Sequence, residues 1–232
     1  MENLVNKEQN SLTKDDGFFS KKLQRRNFLQ YAGVSAAGIA LVAAGCKKDT
    51  FNAGVDLGSG DIGILNYAYA LEQLEAAFYT QIIATPFTGI TSAELAAFTD
   101  IRDHEIAHRE FLKAALGAKA IQNLEVNFST INFSSRDSVL GTAKAFEDLG
   151  VSAYNGAGYL IKSPDYLTLA GKIVSVEGRH AAYIRDLISN GSFAGSDVVD
   201  AMGLDKSRTP AEVLSIAGAY IKTKINASNL PS

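Results

Sequence analysis

The chain has 232 residues, of which 47% are hydrophobic and 20% charged, and its formal net charge is -3. This composition is typical of a folded globular protein and excludes intrinsic disorder, which needs fewer apolar residues and more net charge. A single cysteine excludes an intramolecular disulfide framework and a cysteine-based zinc site. The near-neutral charge gives no electrostatic footprint for nucleic acid, so we expect no nucleic-acid partner.

Residues 1–46 have the pattern of an export signal peptide. A polar, positively charged start precedes an uncharged apolar run of 15 residues, 31–45. This run is shorter than the about 20 apolar residues of a membrane-spanning helix. Arg25 and Arg26, followed by Asn-Phe-Leu, resemble the twin-arginine export motif. An ordinary secretory signal with two adjacent arginines is the alternative.

The only cysteine, Cys46, ends this apolar run. Its Ala-Ala-Gly-Cys context resembles the cleavage site of bacterial lipoproteins, where the cysteine becomes lipidated; cleavage by an ordinary signal peptidase is the alternative. We therefore expect an exported protein, periplasmic or on the outer surface, held at the membrane by a lipid anchor. Residues 47–61 contain Gly, Asp and Ser without periodicity, which predicts a flexible tether.

Beyond residue 61 the apolar residues recur every three or four positions, which predicts helices. Thr91 with Glu94 forms a capping-box pattern at one helix start. Ser163 before a proline marks another start, since proline is favoured at the first helical position. The resulting prediction is five helices, at about 62–84, 91–116, 136–162, 164–190 and 210–225.

The link between the second and third helices, residues 118–135, has no helical period. Eighteen extended residues reach about 60 Å, whereas a helix of 26 residues is roughly 39 Å long. The link can therefore cross a whole bundle and return the chain to its other end. We predict an all-α fold: a four-helix bundle over 62–190 with one long crossover, and a C-terminal extension over 191–232 with a fifth helix.

Each bundle helix carries a glutamate in the middle of its apolar stripe: Glu72, Glu105, Glu147 and Glu177. An unpaired buried carboxylate costs several kcal/mol even after relaxation, and four in one core would repel each other. These carboxylates must therefore be neutralised by a positive charge, be protonated, or be in contact with water.

The surrounding pattern occurs twice: a glutamate, a tyrosine seven residues later, and then a Glu-x-x-His motif. Residues three apart share a helix face, so each Glu-x-x-His can direct both side chains at one point. Two divalent ions would balance four carboxylates, and oxygen ligands with some imidazole suit iron or manganese. The first copy comprises Glu72, Tyr79, Glu105 and His108, and the second Glu147, Tyr154, Glu177 and His180.

Residues 62–190 resemble the ferritin-like superfamily. The phrases LEQLEAAFY at 71–79 and SAYNGA at 152–157 are similar to a branch of exported bacterial ferritin-like proteins and plant desiccation-related proteins. The resemblance implies a centre of two iron or manganese ions in which Glu105 and Glu177 bridge the ions. The full ligand set that it implies is Glu72, Glu105, His108, Glu147, Glu177 and His180.

Four residues outside this ligand set are interpreted separately. Glu75 lies one turn after a ligand and supports the centre or lies on the surface, because its counterpart in the second copy is Gly150. His104 is expected to have a partly exposed structural role. Tyr79 and Tyr154 are core aromatics, or residues that take part in catalysis by hydrogen-bonding a ligand carboxylate or relaying an electron.

Two functions remain open. The first is an exported protein whose dinuclear centre oxidises iron or handles dioxygen or peroxide, with ferroxidase, peroxidase or catalase chemistry. Its partners would be metal ions, a small oxidant, an outside electron donor and, in a homodimer, a second copy. The alternative, implied by the desiccation-related relatives, is a structural or stress-protection surface lipoprotein without redox activity. A closed storage cage is not expected, because a lipid anchor and a fifth helix would obstruct the shell.

Overall fold

The computed structural model of the protein describes residues 54–232. Arg25, Arg26 and Cys46 lie outside the described residues, so the export motif and the lipidation site stay predictions. Within residues 54–232, no helix combines the length and the apolar character needed to cross a bilayer.

Four long helices form a bundle, which confirms the all-α prediction. The first helix packs mainly against the second and the third against the fourth, so the bundle consists of two hairpins. The short connections 85–91 and 159–163 join the helices within each hairpin. The helices are α1 (Gly60–Ala84), α2 (Ser92–Leu116), α3 (Arg136–Gly158) and α4 (Pro164–Ile188).

The helix starts agree with the capping residues in the sequence. The Thr91 side chain accepts a hydrogen bond from the Glu94 backbone N–H, and the Glu94 carboxylate accepts one from the Thr91 backbone N–H. The Ser163 side chain caps α4 by accepting a hydrogen bond from the Tyr166 backbone N–H, and proline follows it at the first helical position. These caps satisfy backbone donors that the first helical turn leaves without partners.

The connection from α2 to α3 runs along α1. It begins with a short 3-10 helix, Gly117–Lys119. The Asn66 amide then accepts a hydrogen bond from the Ile121 backbone N–H, and Gln73 accepts one from Leu124. The contacts advance from the start of α1 toward its end, so this link spans the bundle as predicted. The link covers the outer face of α1. In the whole of this helix, 17 of the 25 residues are buried.

The third helix ends four residues earlier than predicted, at Gly158. The chain then turns, and the Asp61 carboxylate accepts hydrogen bonds from the backbone N–H groups of Lys162 and Ser163 at 2.8 and 2.9 Å. Asp61 lies in the first turn of α1, so this contact fixes the link between α3 and α4 to the start of α1.

The prediction of a tether through residue 61 is wrong for its last part. Strand β1 (Val55–Asp56) pairs in parallel with strand β2 (Ile225–Asn226), and Leu57 is fully buried in the core. The apolar residues at 55 and 57 are too few to show a period, which explains why the sequence pattern missed them.

The fifth helix, α5 (Pro210–Ala217), is shorter than the predicted 210–225. After it the backbone turns, and Tyr220 packs edge-on against Phe146 of α3 with ring centroids 4.8 Å apart. Ile221 then forms a bridge with Val126 of the crossover. The residues after α5 therefore pack against the bundle instead of continuing the helix.

Candidate metal centre

The middle of the bundle contains six of the predicted side chains in one cluster, of which all but the partly buried His108 are buried. The four glutamates are fully buried and His180 is 5% exposed. Each helix contributes from the face it turns toward the other three, which is why the apolar stripes contain acids. The cluster comprises Glu72 from α1, Glu105 and His108 from α2, Glu147 from α3, and Glu177 and His180 from α4.

The first group of possible ligands centres on His108. Its Nδ1 lies 2.9 Å from Glu177 Oε1, 3.5 Å from Glu72 Oε2 and 3.6 Å from Glu105 Oε2. The contributing atoms all lie within 4.8 Å of one another, close enough to share one metal ion.

The second group centres on His180. Its Nδ1 lies 2.8 Å from Glu105 Oε1, 3.5 Å from Glu147 Oε2 and 3.9 Å from Glu177 Oε2. These atoms also lie within 4.8 Å of one another. Glu105 and Glu177 belong to both groups and direct a different oxygen toward each histidine. The two groups are therefore adjacent and share two carboxylates.

The orientation of the polar atoms fits cations better than a hydrogen-bond network. In the described part of the chain, both oxygens of Glu105 and of Glu177 are buried and none makes a hydrogen bond of good geometry, although one oxygen of each lies within 3 Å of a histidine Nδ1. The same lack of a good hydrogen bond holds for the Nδ1 atoms of His108 and His180. It also holds for the Oε2 atoms of Glu72 and Glu147. Buried polar atoms are rarely left in this way. Converging oxygen and imidazole donors suit iron or manganese, so the residues fit the predicted ions.

The remaining carboxylate oxygens accept hydrogen bonds from two tyrosine hydroxyls. Tyr79 donates to Glu147 Oε1 and Tyr154 donates to Glu72 Oε1, both at 2.5 Å. Each tyrosine thus reaches the glutamate of the opposite hairpin. Glu72 and Glu147 keep one free oxygen each for the adjacent group, whereas Glu105 and Glu177 keep two.

Burial and mutual contacts shift the protonation of the cluster. Burial raises the pKa of Glu72 to about 7. Burial opposes the charged forms of Glu105, His108 and His180, but their close contacts outweigh it: the pKa of Glu105 falls to about 2, and those of His108 and His180 rise to about 12 and about 10. Without metal, protonated histidines therefore supply positive charge beside the carboxylates.

A protein-family model described as a ferritin-like domain matches residues 60–190, which run from α1 to α4 and include all six cluster residues. The chain belongs to this ferritin-like family. A comparison with curated proteins gives no match.

This ferritin-like domain contains a further buried acid beside the cluster, Glu75, and its burial excludes the surface interpretation. Glu75 is 4% exposed, and a Cβ atom on Gly150 would lie only 3.1 Å from its Oε1 and 3.6 Å from Glu177 Oε2. Burial, and then the charge of Glu177, raise the pKa of Glu75 well above its ordinary value. The glycine at the equivalent position of the other half provides the space for this carboxylate.

His104 contacts the centre through a ligand candidate. Its Nδ1 lies 2.9 Å from Nε2 of His180, and the two rings stack at 8° with centroids 5.2 Å apart. His104 itself is exposed, so it connects the buried His180 ring to the surface. The sequence pattern could not indicate this contact, because the equivalent position in the second copy is Val176.

Proposed function

We propose that this ferritin-like domain holds two metal ions, iron in preference to manganese, and uses them to oxidise iron or to reduce dioxygen or peroxide. The observation that carries the proposal is the pair of ligand groups that share Glu105 and Glu177. Each of these carboxylates presents one oxygen to each group, an arrangement suited to bridging two cations.

The chemistry follows from the ions that such a site would take. When bound, two Fe(II) ions would supply one electron each, which balances the reduction of dioxygen and two protons to hydrogen peroxide, or of hydrogen peroxide and two protons to two waters. The protein would keep the reacting centre buried and fix its ligands. Tyr79 and Tyr154 would orient Glu147 and Glu72, since each hydroxyl holds one oxygen and leaves the other free.

Metal content tests this proposal directly. The purified full chain is loaded with Fe(II) under anaerobic conditions, and separately with Mn(II), and the bound ions per chain are counted by mass spectrometry. We expect two ions per chain. The Glu105→Ala/Glu177→Ala variant removes both shared carboxylates and should lose them.

A matched control removes one exposed carboxylate from each of the same two helices, in a Glu110→Ala/Asp165→Ala variant. It should keep both ions. The proposal is contradicted if the parent chain binds no metal, or if the two variants bind equal amounts of it. The ferritin-like scaffold would then have the structural or stress-protection role.

We also propose that the protein is exported and anchored by lipid at Cys46. The support is the sequence of residues 1–46 alone: adjacent arginines, an uncharged apolar run and a cysteine at its end. Mass spectrometry of the mature N-terminus tests this, with Cys46→Ala as the control that should abolish lipidation. An unprocessed N-terminus in both proteins would contradict it.

A further inference from the structure

An apolar cavity of about 30 Å³ lies between the four bundle helices. It is at the end where α1 and α4 begin and α2 and α3 end, and its wall is almost entirely carbon. A space of this volume holds one small molecule. Its wall includes Ala68 and Leu71 of α1, Leu112 and Ala115 of α2, Tyr154 of α3 and Ile173 of α4.

This cavity adjoins the first ligand group, the one centred on His108. Three of its wall residues lie four positions from a member of that group: Ala68 from Glu72, Leu112 from His108 and Ile173 from Glu177. Four residues make about one helical turn, a rise of about 6 Å. Tyr154 belongs to the cavity wall and also hydrogen-bonds Glu72.

The opposite side of the centre is filled by aromatic rings. Phe78 packs against Tyr79 and Phe146 with ring centroids 5.2 and 5.0 Å apart. Phe98 packs against Tyr79 and Phe87, both at 6.2 Å. The two ligand groups therefore differ in their surroundings. An apolar cavity lies beside the His108 group, whereas packed aromatic rings lie on the other side of the centre.

We propose that this cavity is a docking site for dioxygen beside the His108 group. This inference rests on the proposed function and names its oxidant. A trapped water or hydrogen peroxide needs two or more polar partners. Burial of hydrogen peroxide in a carbon-lined space would cost the hydrogen bonds that it makes in water. Dioxygen is apolar and loses no comparable hydrogen bonds when it leaves water for this cavity.

One polar group could instead retain a water molecule. Tyr67 lines the cavity, and its buried hydroxyl has no hydrogen-bond partner among residues 54–232. A Tyr67→Phe variant keeps the shape of the wall and removes this hydroxyl. An apolar guest should still bind in the variant, whereas a bound water should be lost.

Xenon is a suitable probe, because dry apolar cavities bind it. We would expose crystals of the metal-free full chain to xenon under pressure. One xenon site between the four helices is expected in the parent and in Tyr67→Phe. Ala115→Leu should fill the cavity and lose xenon, and Leu169→Ala should enlarge it and raise the occupancy. An ordered water in place of xenon in the parent would overturn the proposal.

A second experiment uses the iron-loaded full chain and compares two oxidants. Ala115→Leu should slow oxidation by dioxygen severalfold relative to the parent and leave oxidation by hydrogen peroxide unchanged. An equal effect on both oxidants, or on neither, would overturn the role of the cavity. Failure to bind iron would contradict the proposed function separately, because the xenon experiment needs no metal.

Discussion

Tyr154 of α3 donates a 2.5 Å hydrogen bond to Glu72 of α1, and so joins the two helical hairpins at the centre of the bundle. Both residues are buried, so the contact is shielded from water. Tyr79 makes the equivalent bond to Glu147 in the other direction. Each hairpin therefore supplies a donor that orients a carboxylate of the other.

Loss of this donor should destabilise the metal-free protein. Tyr154→Phe leaves Glu72 Oε1 buried without its partner, which costs about 1–3 kcal/mol in the free energy of unfolding. Tyr79→Phe should have a similar effect through Glu147. Urea denaturation in the presence of a chelator measures both. Tyr159→Phe is the matched control, since Tyr159 is 69% exposed, and an equal loss in that variant would contradict the explanation.

The metal-free protein should be less stable in mildly basic than in mildly acidic solution. The folded-state pKa values of His108, His180 and Glu72, about 12, about 10 and about 7, all exceed the ordinary values of 6.5 for histidine and 4.5 for glutamate. Stability from each group is complete below its ordinary value and is lost as the pH rises through the folded-state value. Glu105 acts in the opposite sense, below about pH 4.5, because its pKa is lowered to about 2.

Urea denaturation with a chelator across this pH range checks the expectation. The free energy of unfolding should be highest near pH 4.5, because stabilisation from Glu105 is lost below that pH and stabilisation from Glu72 begins to be lost above it. It should then fall toward about pH 10 as stabilisation from the histidines is lost as well. A His108→Gln/His180→Gln variant should show a weaker dependence over that interval. A stability that rises with pH in the metal-free parent would contradict the protonation described here.

Replacement of His104 should weaken metal binding although His104 is no predicted ligand. Groups that contact a ligating histidine hold its ring in place, and their loss typically lowers metal affinity about 10- to 100-fold. His104→Ala removes the nitrogen that contacts Nε2 of His180, and His104→Phe removes it while keeping an aromatic ring. Competition with a coloured chelator measures the affinity. Asp103→Ala, at an exposed neighbour, should leave it unchanged; recovery in His104→Phe would assign the effect to stacking alone.

Neutralisation of Glu75 should stabilise the metal-free protein, increasingly so at higher pH. Burial and the nearby Glu177 disfavour the charged form of Glu75, and Glu75→Gln keeps its size without the charge. The melting temperature should rise over that of the parent above neutral pH and match it in acid. Glu110→Gln is the exposed control. A lower melting temperature for Glu75→Gln at every pH would show that the carboxylate forms a stabilising contact.

The sequence predicted the bundle well because its helices carry strong local signals. Thr91 with Glu94, and Ser163 with Pro164, define helix starts through contacts within one turn. The acids that interrupt the apolar stripes likewise indicate a buried cluster from their positions in the sequence alone. Periodicity and spacing within a helix are sufficient for both inferences.

Other features depend on contacts between distant parts of the chain, which a local pattern cannot show. Val55 pairs with Ile225, 170 positions later, so the local sequence predicts a tether at the position of β1. The end of α5 is determined by packing on Phe146, and the contact of His104 with His180 exists only after α2 and α4 meet. The same holds for the space that Gly150 leaves for Glu75.

The doubled pattern also has a consequence for symmetry. A single hairpin contains half of the cluster, so two identical hairpins related by a two-fold axis could complete it as a dimer. Such a dimer would have to place glutamate against glutamate, or glycine against glycine, at positions 75 and 150. One continuous chain, joined by the crossover, allows Glu75 to face Gly150. Covalent linkage thus lets the two halves of the centre differ from each other.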